Sequence, residues 1–285
     1  LAENSGTTVT LTATTTKAVT SDTVVTITLG GEATNNTDYA TSASTLTILS
    51  GNKTGSLTFT LTDDSIYEGN ETITFSTFSI SGDATYTNQS PSASFTITEN
   101  ESAPTVTLTS SASSVAENGS ALTLTATLSA VTETNVTVSI STSGTGTEGT
   151  DYATVSDITI VGGATTGTAS FTPTNDSVFE GNETGIIAID TVSGGGGGVT
   201  ENGTQAVTIT ITDDESAPTV TLTSSASSIA ENAGTSLTLT ATLSGATDEA
   251  VTVGISTSGT GTEGTDYGTV SDITIAAGAT AGTTA

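Results

Sequence analysis

Leu122-Thr123-Leu124-Thr125-Ala126-Thr127-Leu128 alternates apolar and polar residues at every step. A period of two over such a run marks a strand with one buried face and one wet face. Thr suits the wet face, because a β-branched side chain fits a pleated surface. The pattern recurs on both sides of this run, in Thr105-Val106-Thr107-Leu108-Thr109, Val136-Thr137-Val138-Ser139-Ile140 and Val207-Thr208-Ile209-Thr210-Ile211. Clusters of Gly, Asn, Asp and Ser separate the runs, and Gly194 to Gly198 reads as a loop. Nowhere do apolar residues follow a helical period. About seven short strands in ~100 residues predict an all-β, immunoglobulin-like Greek-key sandwich.

Further out, the same text repeats. Ala2-Glu3-Asn4, Ala116-Glu117-Asn118 and Ala230-Glu231-Asn232 follow one another at a spacing of 114 residues. The eleven residues from Pro104 to Ser114 recur unchanged from Pro218 to Ser228, and Ile140 to Tyr152 recurs from Ile255 to Tyr267. Such self-similarity predicts tandem units. They run over residues 1–103 (a unit without its first strand), 104–217 (a complete unit) and 218–285 (the N-terminal half of a third). Near-identical neighbours point to duplication, and an opening on Leu1 reads as a window onto a longer array.

Charge narrows the function. Lys and Arg total 2 against 30 Asp and Glu, a net charge of -28. Phosphate binding needs clustered basic residues, so nucleic acid is excluded as a partner, and anionic lipid is disfavoured. There is no Cys, Met, His or Trp. Disulfides, thiolate or imidazole metal sites and the usual catalytic triads are therefore absent, and no enzyme activity is expected. No apolar stretch approaches the ~20 residues of a membrane span, so no membrane insertion is expected in this window. The natural counterpart of so many carboxylates is a divalent cation.

The acidic residues fall at the ends of strand runs. In the second unit they are Glu117, Asp151, Asp176, Glu180, Glu183 and Asp213-Asp214-Glu215. The first unit repeats the scheme as Glu3, Asp38, Asp63-Asp64, Glu68, Glu71 and Glu99/Glu101, and the third shows Glu231 and Asp266. Alternate strand ends share a pole of a sandwich, so these groups can converge. Converged, they offer the six to eight hard oxygens that Ca²⁺ takes. A lone acidic loop residue is ordinary solvated surface. Glu148 and Glu263 are read that way, or as the rim of a site; the ordered recurrence sets the other residues apart.

Four motifs now stand in fixed order: the Ala-Glu-Asn start, Thr-Asp-Tyr (ending at Tyr39, with Asp151-Tyr152 and Asp266-Tyr267 its counterparts), Asp63-Asp64-Ser65-Ile66-Tyr67-Glu68-Gly69-Asn70-Glu71, and Ile211-Thr212-Asp213-Asp214-Glu215. Together they resemble the Calx-β domain over essentially the whole chain. The resemblance implies a seven-stranded sandwich with a Ca²⁺ cluster at one pole. Its implied ligands are Glu3, Asp38, Asp64, Glu68 and Glu71 in the first unit. In the second they are Glu117, Asp151, Asp176, Glu180, Glu183, Asp213, Asp214 and Glu215, and in the third Glu231 and Asp266. Two departures predict fewer ions or weaker binding: Asn175 stands where the first unit has Asp63, and Glu99-Asn100-Glu101 replaces the terminal acidic triplet.

Only Ser216-Ala217 separates the triplet from Pro218 of the next unit. A metal site built partly from the triplet would stiffen that junction. The expected role is structural: a repeat segment of a secreted, extracellular fibre, filament or adhesin stalk, with neighbouring copies of itself as partners beside calcium. A Ca²⁺-sensing module of a membrane protein is the alternative. Near-identical tandem units, Thr-rich faces and scarce Lys favour the fibre.

Overall fold

The structure, a computed structural model, describes residues 1–41, 43–76, 79–84, 86–89 and 92–285. Among them every element is a strand except one short 3-10 turn, Glu3–Ser5. The chain forms immunoglobulin-like sandwiches, as the alternation predicts.

The second unit shows the architecture in full. One sheet runs in the order Thr166–Phe171, Leu122–Leu128, Thr105–Ser110, Thr200–Glu201. The other runs Ser114–Ala116, Ala206–Thr212, Glu183–Gly194, Val136–Gly144, Ile158–Ile160. The segment after Pro104 serves both sheets. Its first part pairs antiparallel with Leu122–Leu128, and Ser114–Ala116 then crosses to pair in parallel with Thr210–Thr212. Within Leu122–Leu128 the residues Leu124, Ala126 and Leu128 are buried, as a strict period of two requires. With Phe171 of their own sheet they meet Val136, Val138, Ile158, Ile187 and Ile209 from the facing sheet in one core.

The first unit has its own core around Phe59, Ile73 and Phe75. Thr8–Thr14 pairs with Thr54–Leu61, which also pairs with Tyr39–Thr41; Glu71–Ser76 lies between Thr28–Gly31 and Ser92–Ile97. A smaller cluster of Ala241, Leu243, Ile273 and Ile275 centres the third.

One feature of the strands escapes the alternation. The ladder between Val136–Gly144 and Glu183–Gly194 shifts register between Ser139 and Ile140. Asp157 Oδ1 accepts the Ile140 N–H there at 2.9 Å, satisfying a backbone donor at the bulge. Asp272 does the same for Ile255 at 2.9 Å. These two carboxylates are structural.

The acidic loop of the first unit reaches the second. Tyr67 forms an isolated parallel bridge with Thr132 and belongs to the buried core of the second unit. Its N–H donates to the Val131 carbonyl at 3.0 Å, and its hydroxyl donates to the Gly197 carbonyl at 2.5 Å. The receiving surface is the turn that begins at Gly194. Gly194 to Gly198 all have positive φ, and at Gly196 (φ +75°) a Cβ would overlap the Glu68 carbonyl. Only glycine permits both that backbone and that approach. Val178–Phe179 of the second acidic loop pairs in parallel with Ala246–Thr247 of the third unit in the same manner. The sequence reading located the junction at the Asp213–Pro218 linker; the contacts show that the acidic loops make it as well.

Candidate metal centre

Register brings the acidic groups of the first unit together. Thr8 faces Thr60, Tyr39 faces Leu61, and Glu71 faces Ile97. The residues just before Thr8 and Tyr39, just after Leu61 and Ile97, and at the start of Glu71–Ser76 therefore share one pole. There, ligand-capable oxygens of Asp38, Glu68 and Glu71 all lie within 4.8 Å of one another, and all three residues are buried. Asp38 is held in place by an N–H from Thr34. Asp38 Oδ1, Glu68 Oε1 and Glu71 Oε2 are buried without any hydrogen-bond partner.

Beside this inner trio lies an outer one of Glu3, Glu99 and Glu101, also within 4.8 Å of one another. Glu99 joins the two, because its Oε2 accepts the N–H groups of Glu68 (2.6 Å) and Gly69 (2.8 Å). The resemblance carried no ligand to Glu99 or Glu101, but the structure places both at the pole. The signal was their position: they occupy the slots of Asp213 and Glu215, with longer side chains on the first.

The second unit repeats both trios. Asp151, Glu180 and Glu183 form the inner one; Glu117, Asp213 and Glu215 form the outer one. Asp213 Oδ2 accepts the N–H groups of Glu180 (3.0 Å) and Gly181 (2.6 Å), as Glu99 does in the first unit. Glu117 Oε1 accepts the Asp176 N–H at 2.6 Å.

Other expected ligands sit differently. Asp64 and Asp176 carboxylates cap their own loops, accepting from Ile66 and Val178 at 2.7 Å each. Asp214 accepts from Asn118 Nδ2 at 2.7 Å and belongs to neither trio. Glu231 and Asp266 are exposed, and among the described residues no carboxylate trio forms around them. Asp266 instead accepts the Thr262 N–H at 2.7 Å. Glu148 holds Thr142 and the Val155 N–H (3.0 Å), and Glu263 repeats both bonds. These two pin the crossover rather than rim the site.

Crowding shows in the acidities. Burial first, then the charges of Asp38 and Glu71, push the Glu68 carboxyl up to about 8. Burial and Asp38 push Glu71 up to about 8 as well. Glu101 rises to about 7, chiefly through its contact with Glu99. In the second unit burial and Asp151 raise Glu180 and Glu183 to about 7. Burial also opposes ionisation of Glu99 and Asp213, but the hydrogen bonds each accepts prevail and both are lowered. Besides burial, the charges of Asp151, Asp176, Glu183 and Glu117, which come from distant parts of the unit, raise Glu180.

A divalent cation fits this set. At an effective dielectric of ~20, two full charges less than 5 Å apart repel by about 3 kcal/mol. Among the described residues no basic side chain stands beside them. The chain's two basic residues, Lys17 and Lys53, flank the Thr14↔Thr54 end of a strand pair, roughly 20 Å along the strands from the acidic end. All donors are hard carboxylate oxygens, the set that Ca²⁺ prefers.

The sequence pattern described as Calx-beta domain matches residues 1–101, 99–215 and 213–280. The chain belongs to the Calx-beta family. Among solved structures, the crystal structure of CBD12 from CALX1.2 is 16% identical, covering 67% of this chain and 76% of that one, at a TM-score of 0.32. The apo-form Calx CBD1 domain is 22% identical over 38% of this chain and 97% of that one, at 0.33. The calcium binding domain CBD12 of CALX1.1 is 15% identical over 67% and 76%, at 0.32. No curated protein sequence matches the chain. The Calx-beta assignment thus rests on the three tandem matches and on the chain's own strands.

Proposed function

We propose that this chain is a calcium-stiffened structural segment, with units changing over near residues 103/104 and 217/218, of a secreted extracellular fibre, filament or adhesin stalk. The observation that carries it is one loop with two duties. Glu68 lies in the inner trio with its Oε1 unpartnered, and the adjacent Tyr67 is seated in the core of the next unit. A cation that draws Asp38, Glu68 and Glu71 together also fixes the loop that docks the neighbour. Without it, repulsion loosens the loop and the junction hinges.

Ligands would come from the four trios, with Asp64, Asp176 and Asp214 completing the shell directly or through water. Extracellular modules bind Ca²⁺ at about 10⁻⁴ to 10⁻³ M, which suits a secreted protein bathed in calcium. Repeated, nearly identical units suit a scaffold built by copying, and neighbouring copies of the chain are its natural partners. No helix among the described residues is long and apolar enough to cross a membrane. Catalysis has no role in this reading, since the carboxylates recur per unit rather than forming a single site.

The test is thermal unfolding in EDTA and in about 10 mM CaCl₂. One site at 10 to 100 times its Kd adds about 1.4 to 2.7 kcal/mol, so the melting temperature should rise by several degrees. An unchanged melting temperature refutes calcium stiffening. Electron microscopy of native material, with and without chelator, tests the fibre.

A further inference from the structure

Each junction carries an acidic residue that none of the motifs supplies. Thr132 is fully buried; its Oγ1 donates to the Thr134 carbonyl at 2.9 Å, and its own carbonyl accepts the Gly163 N–H at 2.9 Å. The turn is thereby fixed, and the next residue, Glu133, donates its N–H to the Tyr67 carbonyl at 3.2 Å. Glu133 thus stands directly across from the chain entering Glu68. The second junction repeats this with different residues. Thr247 is buried, donates Oγ1 to the Glu249 carbonyl at 2.7 Å and accepts from Gly278 at 2.7 Å. Asp248 then donates its N–H to the Phe179 carbonyl at 3.4 Å, across from Glu180.

Electrostatics agree with this placement. Partial desolvation of the carboxyl, then the charges of Asp38 and Asp64, raise Glu133. Glu133 in turn contributes to the rise of Glu71, and Asp248 to that of Glu183. Independently, the inner trio of the first unit holds three buried carboxylate oxygens without partners. Bound through one oxygen each, as the three unpartnered atoms offer, these carboxylates leave Ca²⁺ room for further oxygens in its shell of six to eight.

We propose that Glu133 and Asp248 are calcium ligands supplied by the following unit, so that the cation at each inner trio is held by two units at once. This rests on the trios being calcium sites. It makes cation binding and docking of the next unit a single linked equilibrium.

The test is calorimetric titration of the whole chain with CaCl₂ in about 1 M NaCl, where the screening length is about 3 Å and distant charges are silenced. Wild type, Glu133→Gln and Glu71→Gln are compared, with Asp248→Asn reporting on the second unit. Glu133 is exposed, so its variant keeps the fold. Expected is about a tenfold weaker affinity at one class of site in Glu133→Gln, with Glu133→Asp recovering part of it. Glu71→Gln should lose the same site. Wild-type binding in Glu133→Gln, alongside loss in Glu71→Gln, overturns the shared site and leaves the calcium reading standing. Absence of calcium uptake by the wild type removes both.

Discussion

Tyr67, carried by the acidic loop of the first unit, donates its hydroxyl to the carbonyl of Gly197 in the second at 2.5 Å. Its ring lies in the core of that second unit. Tyr67→Phe should remove one hydrogen bond and leave the exposed Gly197 carbonyl to water, costing about 1 kcal/mol. Tyr67→Ala should cost about 3 kcal/mol by opening a cavity. Urea unfolding of the whole chain reads both, and the Ala variant should also broaden the inter-unit distance distribution in small-angle scattering.

Gly196→Ala tests the other side of that contact. The new Cβ meets the Glu68 carbonyl on a backbone of φ +75°. Left-handed φ alone costs about 1–2 kcal/mol, and the overlap adds to it. The variant should destabilise the second unit and release the first, seen as an earlier first transition in calorimetric melting.

The chelated chain should lose stability as pH rises. Folded Glu68 and Glu71 titrate at about 8, and Glu101, Glu180 and Glu183 at about 7, against an ordinary 4.5. The folded state therefore holds more protons than the unfolded one between those values. Stability from these groups is fully present below about pH 4.5 and is lost through pH 7 to 8. Calcium displaces the same protons, so its affinity should climb over that interval. Melting in EDTA at a series of pH values checks the first claim; a melting temperature that rises from about pH 5 to about pH 8 contradicts it.

Sequence alone carried the sandwich, the tandem repeat and the acidic pole, because a period of two and an ordered recurrence survive in the text. The junction did not show itself. Nothing in Asp63 to Glu71 says which of Ile66 and Tyr67 faces the next unit, since loop residues obey no period. Glu99 and Glu101 were underrated because one more methylene and a neighbouring Asn hide their equivalence to Asp213 and Glu215. Glu133 and Asp248 sit in short polar turns that read as solvated surface; only the backbone bridge gives them a place.

Glu99→Gln should weaken both trios of the first unit together. Its Oε2 binds the Glu68 and Gly69 N–H groups while its side chain lines the outer trio. An amide keeps one acceptor and loses the charge. Calcium titration should show at least two affected sites, against one for Glu101→Gln.

Glu148→Gln should behave oppositely. Its carboxylate ties Thr142 to the Val155 N–H. The variant should lower chelated and calcium-loaded stability alike, by about 1–2 kcal/mol, with calcium affinity unchanged. A selective loss of affinity would return Glu148 to the site.

The Tyr67–Thr132 bridge and its counterpart at Phe179–Thr247 use different surfaces on the two partners: a loop on one side, a turn on the other. Such a contact has no self-complementary face, so it does not close into a symmetric pair. Each added module offers the same plug at one end and the same socket at the other. A run of them therefore has a direction, and whatever small rotation one joint imposes accumulates along the length into a helical sweep of fixed hand.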